Sequence, residues 1–319
     1  MKYLFILFFL PLSAFAQVSL SFEPVPHTPQ LFGEGIISTL LSERDMALSP
    51  DGNELLYTVQ VPAAGIAVIV SCTKNAKGAW QSPQVASFSG QYSDLEPAFS
   101  ADGKKLFFAS NRPVQGNQPK DFDIWYTEKV KGQWSTPVNI GSPVNTTANE
   151  FYPSVAKNGN LYFTATYKKG VGQEDIYLAK WENGKYLEPV ALDTGVNSPL
   201  YEYNAFVSPD EDFILFTSYG RKDDKGRGDL YISLKNATGN WQPAVHLDLI
   251  SSDKADFCPF VSFDKKILFF TSERQNIPSY QTGKPVDMSA LRKIAETIEN
   301  GNTNIYWISF DAVLKSINK

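Results

Sequence analysis

The stretch DLEPAFSADGKKLFFASNR, residues 94 to 112, decides the fold. An acid, a proline, a serine and an Asp-Gly pair stand ahead of an apolar run. Nearly the same order of residues returns four more times. Aligned on the opening acid, the units begin at Glu43, Asp94, Glu150, Glu202 and Asp256. Their spacing of roughly fifty residues lies in the range of propeller blades. The first strands read ERDMALS, DLEPAFS, EFYPSVA, EYNAFVS and DFCPFVS. Each closes on a polar pair: Asp51-Gly52, Asp102-Gly103, Asn158-Gly159, Asp210-Glu211 and Asp264-Lys265. The first three pairs are strong hairpin signals. The last two lack glycine, so a different turn type or local strain is expected there.

The second strands follow at once as ELLYTV, KLFFAS, NLYFTA, FILFTS and ILFFTS. These runs are too continuously apolar for a sheet with one wet face. Blade-on-blade packing covers both faces, which favours a propeller over an open sheet. Third strands read GIAVIVS, DIWYTE, DIYLAK, DLYISL and NIYWIS. A fourth appears as GAWQSPQV, GQWSTPVN, GKYLEPVA and GNWQPAVH, each with a proline that belongs on a sheet edge. The fifth unit has no fourth strand after Ile308. SFEPVPHTP, residues 21 to 29, resembles LEPV at 187 to 190, with Pro24 in the place of Pro189. It is therefore expected to cross the ring closure and complete the last blade.

This pattern resembles the WD-like repeats of TolB-type periplasmic propellers over residues 43 to 310. The motif consists of an acid, Pro, F/V-S-x-D-G, L-x-F-x-S, a D-I-Y strand and G-x-W-x-x-P. The resemblance implies an exported all-β propeller. That family often has six blades, whereas five units are countable here, so five four-stranded blades are expected with six as the alternative. The first unit departs from the pattern, with Met46 in place of the proline and no Asp before its third strand.

The chain opens MKYLFILFFLPLSAFAQ, with Lys2, an apolar run to Leu12 and Ala14-Phe15-Ala16. This is the pattern of a secretory signal over residues 1–16, leaving one propeller domain over 17–319. The run breaks at Pro11, short of the roughly 20 residues a membrane span needs. A periplasmic or secreted monomer without a transmembrane segment is expected. A formal charge of -5 and a pI near 5.2 argue against nucleic acid. Cys72 and Cys258 would permit one bridge, or serve as small buried hydrophobes.

Strand order in a blade puts the tight turns on one face and the long polar loops on the other, where function concentrates. These loops are 113–123, 168–175, 220–229 and an insertion at about 275–303. The insertion has helical signals: Asp287 or Ser289 as cap, a stripe of Met288, Leu291, Ala295 and Ile298, and Gly301 as stop.

The acids Glu43, Asp94, Glu150, Glu202 and Asp256 are expected to ring the central opening on the loop face. They could hold a cation or sugar hydroxyls, or else pair with Arg44, Arg112, Arg221 and Arg274. Arg112, Arg221 and Arg274 join the acids as ligand-binding candidates. A second column, Asp123, Asp175, Asp229 and Asn304, most simply bonds turn backbone. With only His27 and His246, a Ser-His-Asp site or a His-rich zinc site is not expected, and no other cofactor is implied. The expected function is non-enzymatic binding of an envelope protein or a glycan. The alternative is a glycosidase-like hydrolase drawing two carboxylates from the acidic column.

Overall fold

A computed structural model describes residues 16–277 and 285–317. The expected signal peptide lies outside the described residues except for Ala16. No described helix is long and apolar enough to cross a membrane.

Five antiparallel sheets follow one another as blades 1 to 5, each with four strands running from the axis outward. Blade 1 comprises Ser42–Leu48, Glu54–Val61, Ile66–Thr73 and Gln84–Val85. Blade 2 has Asp94–Phe99, Lys105–Ser110, Asp123–Val130 and Val138–Asn139, with Gln133–Trp134 as an added short strand. Blade 3 has Glu150–Val155, Leu161–Ala165, Asp175–Ala179 and Val190–Ala191. Blade 4 has Tyr201–Val207, Phe213–Tyr219, Asp229–Leu234 and Val245–His246. Blade 5 has Asp256–Val261, Ile267–Ser272 and Asn304–Ser309, and its outer strand is Gln30–Leu31.

The ring is closed from the N-terminus, as expected, but several residues later than the EPV match suggested. Gln30 pairs with Trp307 and Leu31 with Tyr306, so Thr28-Pro29-Gln30-Leu31 aligns with the other outer strands and Pro29, not Pro24, stands in the repeat position. Proline offers no N–H to the ladder, so pairing with the third strand begins only after it. The stretch ahead of it seals the seam between blades 5 and 1. Phe22 packs on Phe32, Trp80 and Phe269 with ring centroids 5.2, 5.8 and 6.2 Å away. Val18 N–H donates to Trp80 O at 3.0 Å.

The second strands are buried along nearly their whole length, for the reason their composition implies: neighbouring blades cover both sheet faces. The repeated serine sets the hairpin in four blades, and Ala156 takes its place in blade 3. Ser49 Oγ donates to Asp51 and accepts from the N–H of Asn53 and Glu54, and Ser100 and Ser262 repeat the pattern. Glu211 and Lys265 take the same left-handed conformation as Gly52, Gly103 and Gly159, with φ of 55° and 57°. The turn thus keeps one shape through all five blades, and the two glycine-free copies carry strain.

In the insertion, α1 spans Met288–Ala295 and Asp287 caps it by accepting from Ala290 N–H at 2.8 Å. It ends well before Gly301, and Met288 and Leu291 are exposed. A second helix, α2 (Phe310–Ile317), follows the last strand; Phe310 packs on Phe213 of blade 4. Cys72 and Cys258 are both free and buried, so no bridge forms.

Candidate functional site

The five opening acids do not face the central opening. Each is closed to solvent, at most 1% exposed, and held by its own blade's surroundings. Glu43, Glu150, Glu202 and Asp256 accept from the backbone N–H and hydroxyl of the Ser or Thr four residues earlier: Thr39, Thr146, Ser198 and Ser252. Asp94 accepts from Ser89 Oγ at 2.8 Å, five residues earlier. Each acid therefore staples the loop by which one blade enters the next.

The arginines complete the staple in three blades. Arg112 Nη2 reaches Asp94 at 2.6 Å and Phe88 O at 3.0 Å. Arg221 Nη2 reaches Glu202 at 2.9 Å and Val196 O at 2.8 Å. Arg274 lies 3.4 Å from Asp256 and donates to Ile250 O. Each also lies over the aromatic rings of its blade, such as Arg221 above Tyr231 at 4.7 Å. Burial raises the pKa of Glu43 and Asp256, and pushes Glu150 up to about 7. In the second column, Asp175 accepts from Val171 and Gly172 N–H and Asp229 from Lys225 N–H, whereas Asp123 is held by Lys120 and Asn139 side chains. Among the described residues no three or more His, Cys, Asp or Glu side chains come together to hold a metal ion.

The axis is occupied by a different column, two residues after each acid: Asp45, Glu96, Tyr152, Asn204 and Cys258. All five have left-handed backbones, with φ between 50° and 63°, and none is glycine. Each lies where the first strand slips register against the second, at the breaks Arg44/Ala47, Leu95/Ala98, Phe151/Ser154, Tyr203/Phe206 and Phe257/Phe260. A bulge of this kind bends the strand and re-aims its side chains. Its orphaned N–H is met in three blades by a threonine of the preceding blade's second strand: Asp45 by Thr271, Glu96 by Thr58 and Asn204 by Thr164. Tyr152 N–H instead donates to Glu96 at 2.6 Å.

Contacts between blades that are not neighbours place this column on the axis. Tyr152 OH of blade 3 donates to Pro259 O of blade 5 at 3.0 Å, and Asn204 of blade 4 reaches Glu96 of blade 2 at 3.4 Å. Arg44 of blade 1 joins them, 2.7 Å from Asp45, 3.0 Å from Glu96 and 3.3 Å from Cys258 Sγ. Burial pushes Glu96 up to about 8 in spite of Arg44. Beneath the ring only a cavity of about 30 Å³ remains, walled by Met46, Phe99, Phe206, Phe260 and Phe263. The channel is blocked.

Above the ring, on the loop face, a funnel of about 550 Å³ opens. The residues one past each acid line it: Arg44, Leu95, Phe151, Tyr203 and Phe257. Phe122, Glu174 and Glu273 descend into it from the long loops and from the end of blade 5's second strand. Phe122 lies against Phe151 with centroids 5.0 Å apart. Burial, and then the neighbouring Asp175, push Glu174 up to about 7. An aromatic wall with a few convergent polar groups above a closed floor is the usual form of a ligand site. A second and wider cleft, about 710 Å³, lies by the hairpins of blades 2 and 3 beside Trp181 and Tyr186.

The fold and site together define a five-bladed propeller with a blind, aromatic, loop-face funnel. No family model and no curated protein matches the sequence. Solved structures do. The chain is similar to a glycoside hydrolase at 11% identity, covering 91% of this chain and 93% of that one with a TM-score of 0.55. An endo-arabinase from Bacteroides thetaiotaomicron is similar at 15% identity, covering 76% of this chain and 93% of its own length with a TM-score of 0.48. TolB from Acinetobacter baumannii is also among the structural neighbours, at 12% identity over 84% of this chain with a TM-score of 0.46; the chain spans 54% of that protein. At these identities the likeness is one of fold.

Proposed function

We propose that the chain is an exported, non-enzymatic binding propeller that holds a segment of an envelope protein or a glycan in the loop-face funnel. The observation that carries this reading is the ring of five strained, non-glycine residues at the funnel floor. Left-handed backbone at such residues costs on the order of 1–3 kcal/mol each and persists where a site needs it. Here it turns Arg44, Phe151, Tyr203 and Phe257 toward a common space. The acidic column and its arginines act as scaffold in this reading, since they already bond one another and the entry loops.

The test is capture from envelope extract by the wild-type chain, by Tyr203→Asp plus Phe257→Asp, and by a variant lacking residues 276–302. Loss of a captured partner in the funnel variant supports the reading. A partner held equally well by the funnel variant would overturn it.

A glycosidase-like reading has one observation in its favour: Glu96 and Glu174 face the same funnel, and both are held above the ordinary carboxylate range. A raised-pKa acid beside a second carboxylate is what glycoside hydrolysis requires. Turnover of aryl glycosides by the wild type and its loss in Glu174→Gln would establish this reading in place of the first.

A further inference from the structure

We propose that the ligand presents a cationic group, an ammonium or a guanidinium, to the Glu174 carboxylate against the funnel wall formed by Phe151, Tyr203 and Phe257. This rests on the reading that the funnel is the binding surface, and it names the chemistry that surface selects.

The first argument is the balance of charge. Arg44, the guanidinium of the floor, is taken by Asp45 at 2.7 Å and Glu96 at 3.0 Å. Glu273, at the rim, is paired with Arg227. Asp175, next in sequence to Glu174, is buried and bonded to Val171 and Gly172 N–H. Glu174 is left half-buried with no hydrogen-bond or ion-pair partner for its carboxylate among the described residues. A carboxylate withdrawn from water without a counter-charge is costly, and a cation arriving from solution would remove that cost.

The second argument is the wall. Aromatic faces carry negative potential and attract cations, ammonium and guanidinium alike. The protein already uses this wall so: the Arg44 guanidinium lies 5.2 Å from the centre of the Phe257 ring. A neutral sugar would leave Glu174 uncompensated. An anionic sugar would meet the Glu174 carboxylate above a floor whose guanidinium is already engaged.

The groups facing Glu174 are Asp175 on its own loop, and Glu96, Arg44 and Tyr203 from the floor and wall. With its titration near pH 7, a cation is held more tightly once the carboxylate is ionised.

The experiment titrates the full chain with Nα-acetyl-arginine amide, Nα-acetyl-lysine amide, the neutral isostere Nα-acetyl-citrulline amide and cellobiose, followed by NMR at about pH 6 and about pH 8, either side of that titration. Glu174→Gln, with its fold checked by circular dichroism, is run in parallel. One or both cationic probes should bind at least tenfold more tightly than citrulline, more tightly at the higher pH than at the lower, and at least tenfold more weakly to Glu174→Gln. Equal binding of citrulline, a preference for cellobiose, or no effect of Glu174→Gln would overturn the inference. If no cationic probe binds while the funnel still captures a partner from extract, the cation fails and the binding surface stands. If capture ignores the funnel altogether, the surface itself is lost.

Discussion

Arg112 Nη2 stands 2.6 Å from Asp94 Oδ1, and the two side chains are 10% and 0% exposed. Ser110 Oγ donates to the same oxygen at 2.6 Å, and the guanidinium lies over Phe108 at 5.0 Å. A buried ion pair of this kind is weak evidence for net stability, yet removing one partner strands the other charge. Arg112→Met should therefore cost about 3–5 kcal/mol, and restoring neutrality with Asp94→Asn in the same chain should recover part of it. Denaturant unfolding of the two single variants and the double variant measures the coupling. Additive effects would show that the pair does not act as a unit.

Closure of the ring gives a second expectation. Phe32, 1% exposed, packs on Phe269 and Trp307 at 5.0 and 5.4 Å, directly beyond the strand that completes blade 5. Phe32→Ala should lose about 3–5 kcal/mol through the cavity it leaves. Deleting residues 17–31 should broaden the unfolding transition, since blade 5 then has a bare edge and an uncovered core. A deletion variant as stable and cooperative as the parent would contradict the clasp.

Buried acids set a pH dependence. Burial holds Glu150 at about 7 and Glu96 at about 8, above their ordinary value of 4.5. In the folded state these groups keep a proton that the unfolded chain releases. Stability from them is full below about pH 4.5 and falls as pH rises through about 7 to 8. The urea midpoint should therefore be higher at about pH 5 than at about pH 8, and Glu150→Gln should flatten part of that slope. A midpoint that rises over this range would contradict the assignment.

Two hairpin residues offer an internal contrast. Glu211 and Lys265 share a left-handed backbone where three blades have glycine. Glu211 also accepts from Asn158, Asn160 and Tyr162 of the preceding blade, the last at 2.7 Å. Lys265 offers exposed ion pairs, with Asp212 at 2.8 Å, worth less than about 1 kcal/mol, and a cation–π contact 5.6 Å from the centre of the Phe213 ring. Lys265→Gly should be neutral or stabilising by up to about 1 kcal/mol. Glu211→Gly should destabilise, because the inter-blade bonds outweigh the relief. Thermal midpoints of the two variants decide it.

The blades are legible in the sequence because their signals are local: a serine and Asp-Gly turn, an unbroken apolar second strand, a proline before the outer edge. The end of the chain that completes blade 5 is legible as well. Its register is not, since a two-residue pairing leaves EPVP and TPQL equally plausible to a pattern reader. The acids stand out because they repeat, but repetition here marks a shared structural task, the loop staple from Thr39, Thr146, Ser198 and Ser252. The axial column is hidden for the opposite reason. Asp45, Glu96, Tyr152, Asn204 and Cys258 have no chemistry in common, and strict alternation gives no hint of the bulge that turns them inward. The only sign in the sequence is a fixed offset from the acid, filled in every unit by a residue other than the valine or isoleucine a strand prefers.

Because Gln30 and Leu31 pair with Tyr306 and Trp307, the earliest-made residues of the propeller wait for nearly the last ones before the circle can lock. Blades 1 to 4 can assemble progressively as the chain emerges, whereas blade 5 holds an open berth until its third strand has arrived. A chain halted before Asn304 would leave the Gln30–Leu31 strand unmoored, so the third strand of blade 5 is what fastens the ring.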